Sequence, residues 1–296
     1  MPLIVLPGAP AVTPPVQVVS PDGWLTAVVD TVWAGVLLSV DYTAAPVLPG
    51  AAQVLQVRIT RQDPGASVPV LVRSADPAWA VEGVGAGYDH EAPLGVPVIY
   101  TATAVYADGT AGPSSSVSVT VPAPVAGVRD DLWLKSLDEP GLSARVMVVD
   151  RPTPTSAGRQ ETTDIPGSPY IGVAWDTHGA EVRPLKIDVR PERVDQVRAL
   201  LRSGVLLAQV RPGYGWPDVY GVPGEITGPT PTGRLGASGG YQFEFTLTPI
   251  ARPPTAGQPL MIPGWTYDAV AAGQPSYDAL AVAYSTYGAL ATNGTV

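Results

Sequence analysis

The chain of 296 residues has no cysteine, two phenylalanines, two histidines and three methionines. Without cysteine there is no disulfide and no thiol chemistry, so the fold can form in a reducing cytoplasm. Charged residues make up 15%, against about a quarter in an ordinary soluble domain. They are unbalanced, with 17 Lys and Arg against 26 Asp and Glu and a net charge of −9. Neutralising phosphates takes Lys and Arg, so sequence-specific nucleic-acid binding is not expected. No run of about eighteen uncharged apolar residues occurs, so no membrane insertion is expected. The opening "MPLIVLPGAPA" has no Lys or Arg ahead of it and is cut by Pro7, which makes it a poor signal peptide.

Proline and glycine are abundant, at 34 and 32 residues. They break helices and punctuate turns. Scattered among Val- and Thr-rich segments, they point to a mainly β chain of about two domains. With 45% apolar residues, the chain can bury real cores.

Residues 1–125 read as short strands: Val16–Ser20, Val36–Thr43, Gln53–Gln62, Val68–Ala75, Val98–Ala107 and Ser116–Val121. In "YTATAVY" the period of two puts Tyr100, Ala102, Ala104 and Tyr106 on one face and Thr101, Thr103 and Val105 on the other. "YTATAVYADGTAGPSSSVSVTVPAP" resembles the end of a fibronectin type III domain, with Trp33 out of register for the tryptophan of that family. The resemblance covers roughly residues 12–124 and implies an immunoglobulin-like β-sandwich. The Pro-rich "VPAPVAG" (Val121–Gly127) reads as a linker to an outward-facing module.

A second block spans 128–252. It holds strands at "LWLKSL", "ARVMVVD" and Glu181–Arg190, and a long polar loop over Arg151–Pro169. A helix starting at Pro191 carries Val194, Val197, Leu200 and Leu201 on one face and stops at Gly204. Further strands follow, the last with Phe243, Phe245 and Leu247 alternating against Glu244, Thr246 and Thr248.

Residues 253–296 carry a repeat. Tyr267, Tyr277 and Tyr287 are ten residues apart, each after Thr or Ser. A single helix would fan them around its axis, because ten residues fall about 80° short of three turns. Pro275 also interrupts any helix before Ser276. The spacing predicts three short helices N-capped by Thr266, Ser276 and Thr286, with Asp268 and Asp278 in the first turns. Such helices are marginal in water and must dock on something. The docking residues expected are Trp265, Tyr267, Val270, Tyr277, Leu280, Tyr284, Tyr287 and Leu290.

The helix "VDQVRALLRSG", the strand region "VLLAQVRPGYGWPDVYGV", the closing "FEFTLTPIARPP" and the terminal Thr-aromatic-Asp units resemble minor, distal-tail-like proteins of long-tailed actinobacteriophages. The resemblance covers about residues 128–290. It implies a tail-tube-like β-sandwich with one packed helix. It also implies a structural part of the tail tip of a virion, made in the host cytoplasm, that forms a symmetric ring with copies of itself and contacts other phage tail proteins. A host-surface adhesin that binds cell-wall glycan is the alternative.

No catalytic motif stands out. His90 in "GYDHEAP" and His178 in "AWDTHGAE" are candidate bases or metal ligands, and the plainer reading is two loop histidines. "GVGAGYDH" (Gly83–His90) lacks the third glycine of a dinucleotide fingerprint and reads as a loop, and "GASGGYQ" reads as a turn. No pair among the 26 carboxylates is singled out as a glycosidase pair. Trp79, Trp175 and Trp216 could stack on sugar or fill core edges. No enzyme activity, cofactor or metal is expected.

Overall fold

The computed structural model describes residues 16–46, 53–125, 132–150, 153–233 and 239–294. The linker residues Ala126 and Gly127, the loop residues Arg151 and Pro152, and the opening "MPLIVLPGAPA" lie outside them. The chain is mainly β.

The first unit comprises β1 (Gln17–Val19), β2 (Leu25–Asp30), β3 (Gly35–Asp41), β4 (Val54–Gln62), β5 (Val70–Leu71), β6 (Ala78–Trp79), β7 (Val84–Asp89), β8 (Pro97–Tyr106) and β9 (Ala111–Thr120). Two antiparallel sheets, β1-β2-β3-β7 and β5-β4-β8-β9, make a sandwich, with β6 paired to β4. The period of two decides what they bury. Leu25, Ala27 and Val29 of β2 and Val36, Leu38 and Val40 of β3 meet Val57, Ile59, Tyr100, Ala102 and Ala104 of the facing sheet. Thr101, Thr103 and Val105 take the other face of β8 and stay half-buried.

The stretch Gly83–His90, expected as a loop, is instead largely β7. Gly83, with φ +86°, makes the turn into the strand, whereas Gly85 and Gly87 serve packing. A Cβ at Gly85 would lie 3.1 Å from Val57 Cγ2, and one at Gly87 would lie 3.1 Å from Ala75 Cβ. The strands β2 and β6 also lie outside the segments read from the sequence.

The second unit comprises β10 (Leu132–Ser136), β11 (Ala144–Asp150), β12 (Thr155–Ser156), β13 (Gln160–Asp164), β14 (Ile171–Trp175), β15 (Glu181–Val189), α1 (Val194–Leu200), β16 (Leu206–Val210), β17 (Val219–Thr232) and β18 (Gly240–Pro249). Where the resemblance implied a sandwich, the strands close on themselves. They run β11-β10-β16-β17-β18-β15, and β15 pairs back to β11 to complete a six-stranded barrel. Closure depends on β15 pairing on both sides. Arg183 to Val189 match Leu247 to Tyr241 of β18, while Ile187 and Asp188 match Val148 and Met147 of β11.

Leu134, Val146, Ile187, Leu206, Phe243, Phe245 and Leu247 fill the barrel. Each such side chain contributes roughly 1.5–3 kcal/mol by leaving water. The helix adds Val197, Leu200 and Leu201 to this core, and Val194 packs half-buried beside them. Gly204, with φ +108°, follows it as expected.

The polar stretch Arg151–Pro169 reads as a loop in the sequence, but its described part carries two strands. It holds β12, which pairs β15, and then β13, which pairs β14 from Gln160↔Trp175 to Asp164↔Ile171. Glutamine and threonine in β13 gain ladder hydrogen bonds here without burying a face, so hydrophobic patterning gave no signal.

Candidate functional site

The C-terminal residues form three short helices: α2 (Tyr267–Gly273), α3 (Tyr277–Ala283) and α4 (Tyr287–Ala291). Thr266, Ser276 and Thr286 stand at the N-caps in extended backbone, as the repeat predicts. Their hydroxyls accept hydrogen bonds from the N–H groups of Ala269, Ala279 and Ala289 at 3.2, 3.2 and 3.0 Å. Asp268 and Asp278 lie in first turns, where the helix dipole favours a negative charge. Extended Gln274 and Tyr284 end the first two helices. For Gln274 the cause is local, because Pro275 clashes with helical geometry before it.

The three helices curve around an apolar hollow of about 760 Å³. Trp265, Tyr267, Val270, Tyr277, Leu280 and Leu290 all line it, with Leu260 and Ile262. Tyr284 stands behind Trp265, with ring centroids 5.9 Å apart, and its hydroxyl donates to Asn293 Oδ1 at 3.0 Å. The side chain of Tyr287 lies outside the described residues. The indole of Trp265 donates to the carbonyl of Leu290 at 2.8 Å, which ties the first repeat to the third. Neither α2 nor α3 has a buried residue, and Tyr267 and Tyr277 are 92% and 91% exposed.

This unit sits on the sandwich. Leu260 and Ile262 cover Val28, Leu37 and Tyr88, which point out of the β1-β2-β3-β7 sheet. A Cβ on Gly288 of α4 would lie 3.0 Å from Val84 Cγ1, so the helix and β7 approach closely.

The route back to the sandwich is a strap. Arg252 donates to the carbonyl of Leu71 at 2.7 Å and to Glu91 Oε2 at 2.9 Å. Arg73 donates to Glu91 Oε1 at 3.0 Å and to the carbonyl of Pro254 at 3.0 Å. Thr255 donates to Asp76 Oδ2 at 2.7 Å.

The strap belongs to a polar latch that sequence reasoning missed. The strand β10 is buried on both faces. Leu132 and Leu134 point into the barrel, while Trp133 joins the sandwich core and Lys135 follows it on the same face. Register puts Gln209 of β16 opposite Trp133. Lys135 Nζ donates to the carbonyls of Ala34 and His90, at 2.7 and 2.6 Å, and Gln209 Nε2 donates to those of Glu91 and Ala92, at 3.2 and 2.9 Å. The run Asp89-His90-Glu91 is therefore gripped from both units.

Burial sets the electrostatics of this latch. It pushes Lys135 down to about 7, although Asp89 and Asp218 work the other way. It pushes His90 down to about 4 against the pull of Glu91. Burial works to raise Asp89, but Arg61 at 2.7 Å outweighs it, helped by the N–H of Glu91 and the hydroxyl of Tyr100, and the carboxyl falls to about 2. Burial likewise opposes ionisation of Glu91, and the guanidiniums of Arg252 and Arg73 win, so its pKa is lowered.

The sequence candidates for chemistry end up apart. His90, read as a loop histidine, is buried and stacks on Tyr88 at 6.2 Å. His178 is exposed beside the β13–β14 hairpin, and a Cβ on Gly158 would lie 3.8 Å from its ring. Among the described residues no three of His, Asp and Glu converge as metal ligands. Trp216 packs against the barrel core, whereas Trp79 and Trp175 are 73% and 80% exposed on strands. Among the described residues no helix is long and apolar enough to cross a membrane.

Compared with protein-family models, curated proteins and solved structures, the chain matches none.

Proposed function

We propose that this protein is a structural component of a phage tail tip, a minor or distal tail protein that assembles into a ring in the virion. The observation that carries this reading is the β13–β14 hairpin. It extends from the barrel with Tyr170, Ile171 and Trp175 exposed at 77%, 55% and 80%. A two-stranded ribbon is marginal alone, and exposed apolar strand residues mark contact surfaces. Within the reading, the hairpin orders against the next copy, and the C-terminal helices dock a further tail component. The helix α1 packed against the β core is what supports the likeness to tail-tube folds. The order β1-β2-β3-β7 against β5-β4-β8-β9 supports the fibronectin-type likeness of the first unit. The protein acts by assembly, without turnover or cofactor.

A second reading is a host-surface binder. It is favoured by Tyr267 and Tyr277, whose rings stand free to stack on cell-wall glycan.

Mass photometry and negative-stain images of the full chain, alongside a variant lacking residues 160–175, separate the two. A closed oligomer lost with the hairpin supports the tail-tip reading. A monomer that sediments with purified cell walls supports the second. A monomer that does neither overturns both.

A further inference from the structure

The C-terminal hollow has a preformed shape and a one-signed surrounding. Val270, Leu280, Leu290 and Ile262 line it, and the Trp265–Leu290 hydrogen bond ties its first repeat to its third. A volume of about 760 Å³ is in the range of sites that enclose a ligand group rather than a single water. Residues 253–294 contain Asp268 and Asp278 and no Lys or Arg. The sheet beneath repeats the pattern. The strands β1, β2 and β3 carry Asp30 and Asp41, with Glu82 just ahead of β7, and no Lys or Arg, while Asp89 of β7 turns to the other face and is paired with Arg61.

That charge pattern selects the occupant. The hollow's lining is uncharged, and the charged side chains its helices carry are the exposed Asp268 and Asp278, which disfavour an anionic ligand. A second copy fits badly as well. Its C-terminal unit brings the same two aspartates, and its hairpin region brings Glu161, Asp164 and Asp176 against Arg159 alone. Like charges set against each other disfavour such a contact. What complements the site is an apolar stretch to fill the hollow, flanked by cations that meet the rim.

We propose that the hollow between α2, α3 and α4 binds an apolar peptide segment flanked by Lys or Arg, contributed by a different protein. This deepens the assembly reading and rests on it for the partner being a protein. Leucine-like side chains of the partner lie on Val270, Leu280 and Leu290. Its flanking cations lie over Asp268 and Asp278 and against the faces of Tyr267 and Tyr277.

The test is isothermal titration calorimetry on the full chain at low salt. The probe is the capped peptide Lys-Lys-Leu-Ala-Leu-Leu-Ala-Leu-Lys-Lys, with one counterpart carrying Ser for Leu and another carrying Glu for Lys. The expected result is saturable one-to-one binding of the first peptide only. Binding weakens about tenfold or more in Leu280→Asn and in the double variant Asp268→Asn/Asp278→Asn. Ala271→Trp fills the hollow instead of opening it and also abolishes binding, which separates occupancy from unfolding of α3. Val282→Asn, on the 88% exposed side of α3, binds as the parent does. Unchanged binding in Ala271→Trp and Leu280→Asn, or equal binding of the Glu peptide, overturns the proposal. A chain that binds the peptide yet never forms rings leaves this site standing and removes the assembly reading.

Discussion

Lys135 of the barrel donates a hydrogen bond to the backbone carbonyl of His90 in the sandwich at 2.6 Å. The ammonium is fully buried, and its other acceptor, the Ala34 carbonyl, also belongs to the sandwich. With Trp133 in the sandwich core and Arg252 on Glu91, contacts of this kind join the two β units.

Removing the lysine exposes what the bond contributes. Lys135→Met fills similar volume and leaves two buried carbonyls without their donor. An orphaned buried acceptor costs about 1–3 kcal/mol. Urea denaturation at pH 9 should show a loss of that size. A variant as stable as the parent at pH 9 would mean that the latch contributes nothing net.

The same lysine gives the protein a distinctive pH profile. Its folded pKa of about 7 lies below the ordinary 10.5. Between those values the unfolded chain holds a proton that the folded chain has released, so stability rises with pH across this window. His90 acts in the same direction at lower pH, between about 4 and 6.5, where only the unfolded chain is protonated. The melting temperature should therefore climb from pH 7 to pH 9.5 in the parent and stay flatter in Lys135→Met. Parallel slopes in the two proteins would remove Lys135 as the cause.

Glu91 is held by Arg73 and Arg252 with its side chain fully buried. Glu91→Gln keeps the shape but leaves two guanidiniums beside a neutral amide. Breaking a buried pair this way costs roughly 3–5 kcal/mol. Because the strap and the latch span both units, the parent should melt in one calorimetric transition and Glu91→Gln in two. Two transitions already present in the parent would show that the units fold independently.

The helical repeat should respond to its caps. Ser276→Ala removes the oxygen that accepts from Ala279 N–H, at a cost of about 1 kcal/mol. With no buried residue in α3, little else holds that helix. Amide exchange at Leu280 and Ala281 should accelerate severalfold, while the barrel strand β18 keeps its protection. Equal protection in parent and variant would show that packing, not capping, holds α3.

Much of this molecule was legible in one dimension. The alternation in Tyr100–Tyr106 and Phe243–Leu247 fixes which side chains face a core, because a strand has a period of two. The Thr and Ser residues ahead of each repeated Tyr fix where α2, α3 and α4 begin, because an N-cap is a contact within three residues. Those are short-range facts, and the sequence by itself determined them. It could not show that Gly85 and Gly87 lie in a strand, since their role is to let β7 approach Val57 and Ala75. Nor could it show that β15 closes a barrel, that Gln160–Asp164 pairs with Ile171–Trp175, or that the C-terminal helices ride on Val28, Leu37 and Tyr88. The burial of Lys135, His90 and Glu91 was decided only in three dimensions. A charged side chain leaves water only when partners surround it, and here those partners arrive from as far as 161 residues away along the chain.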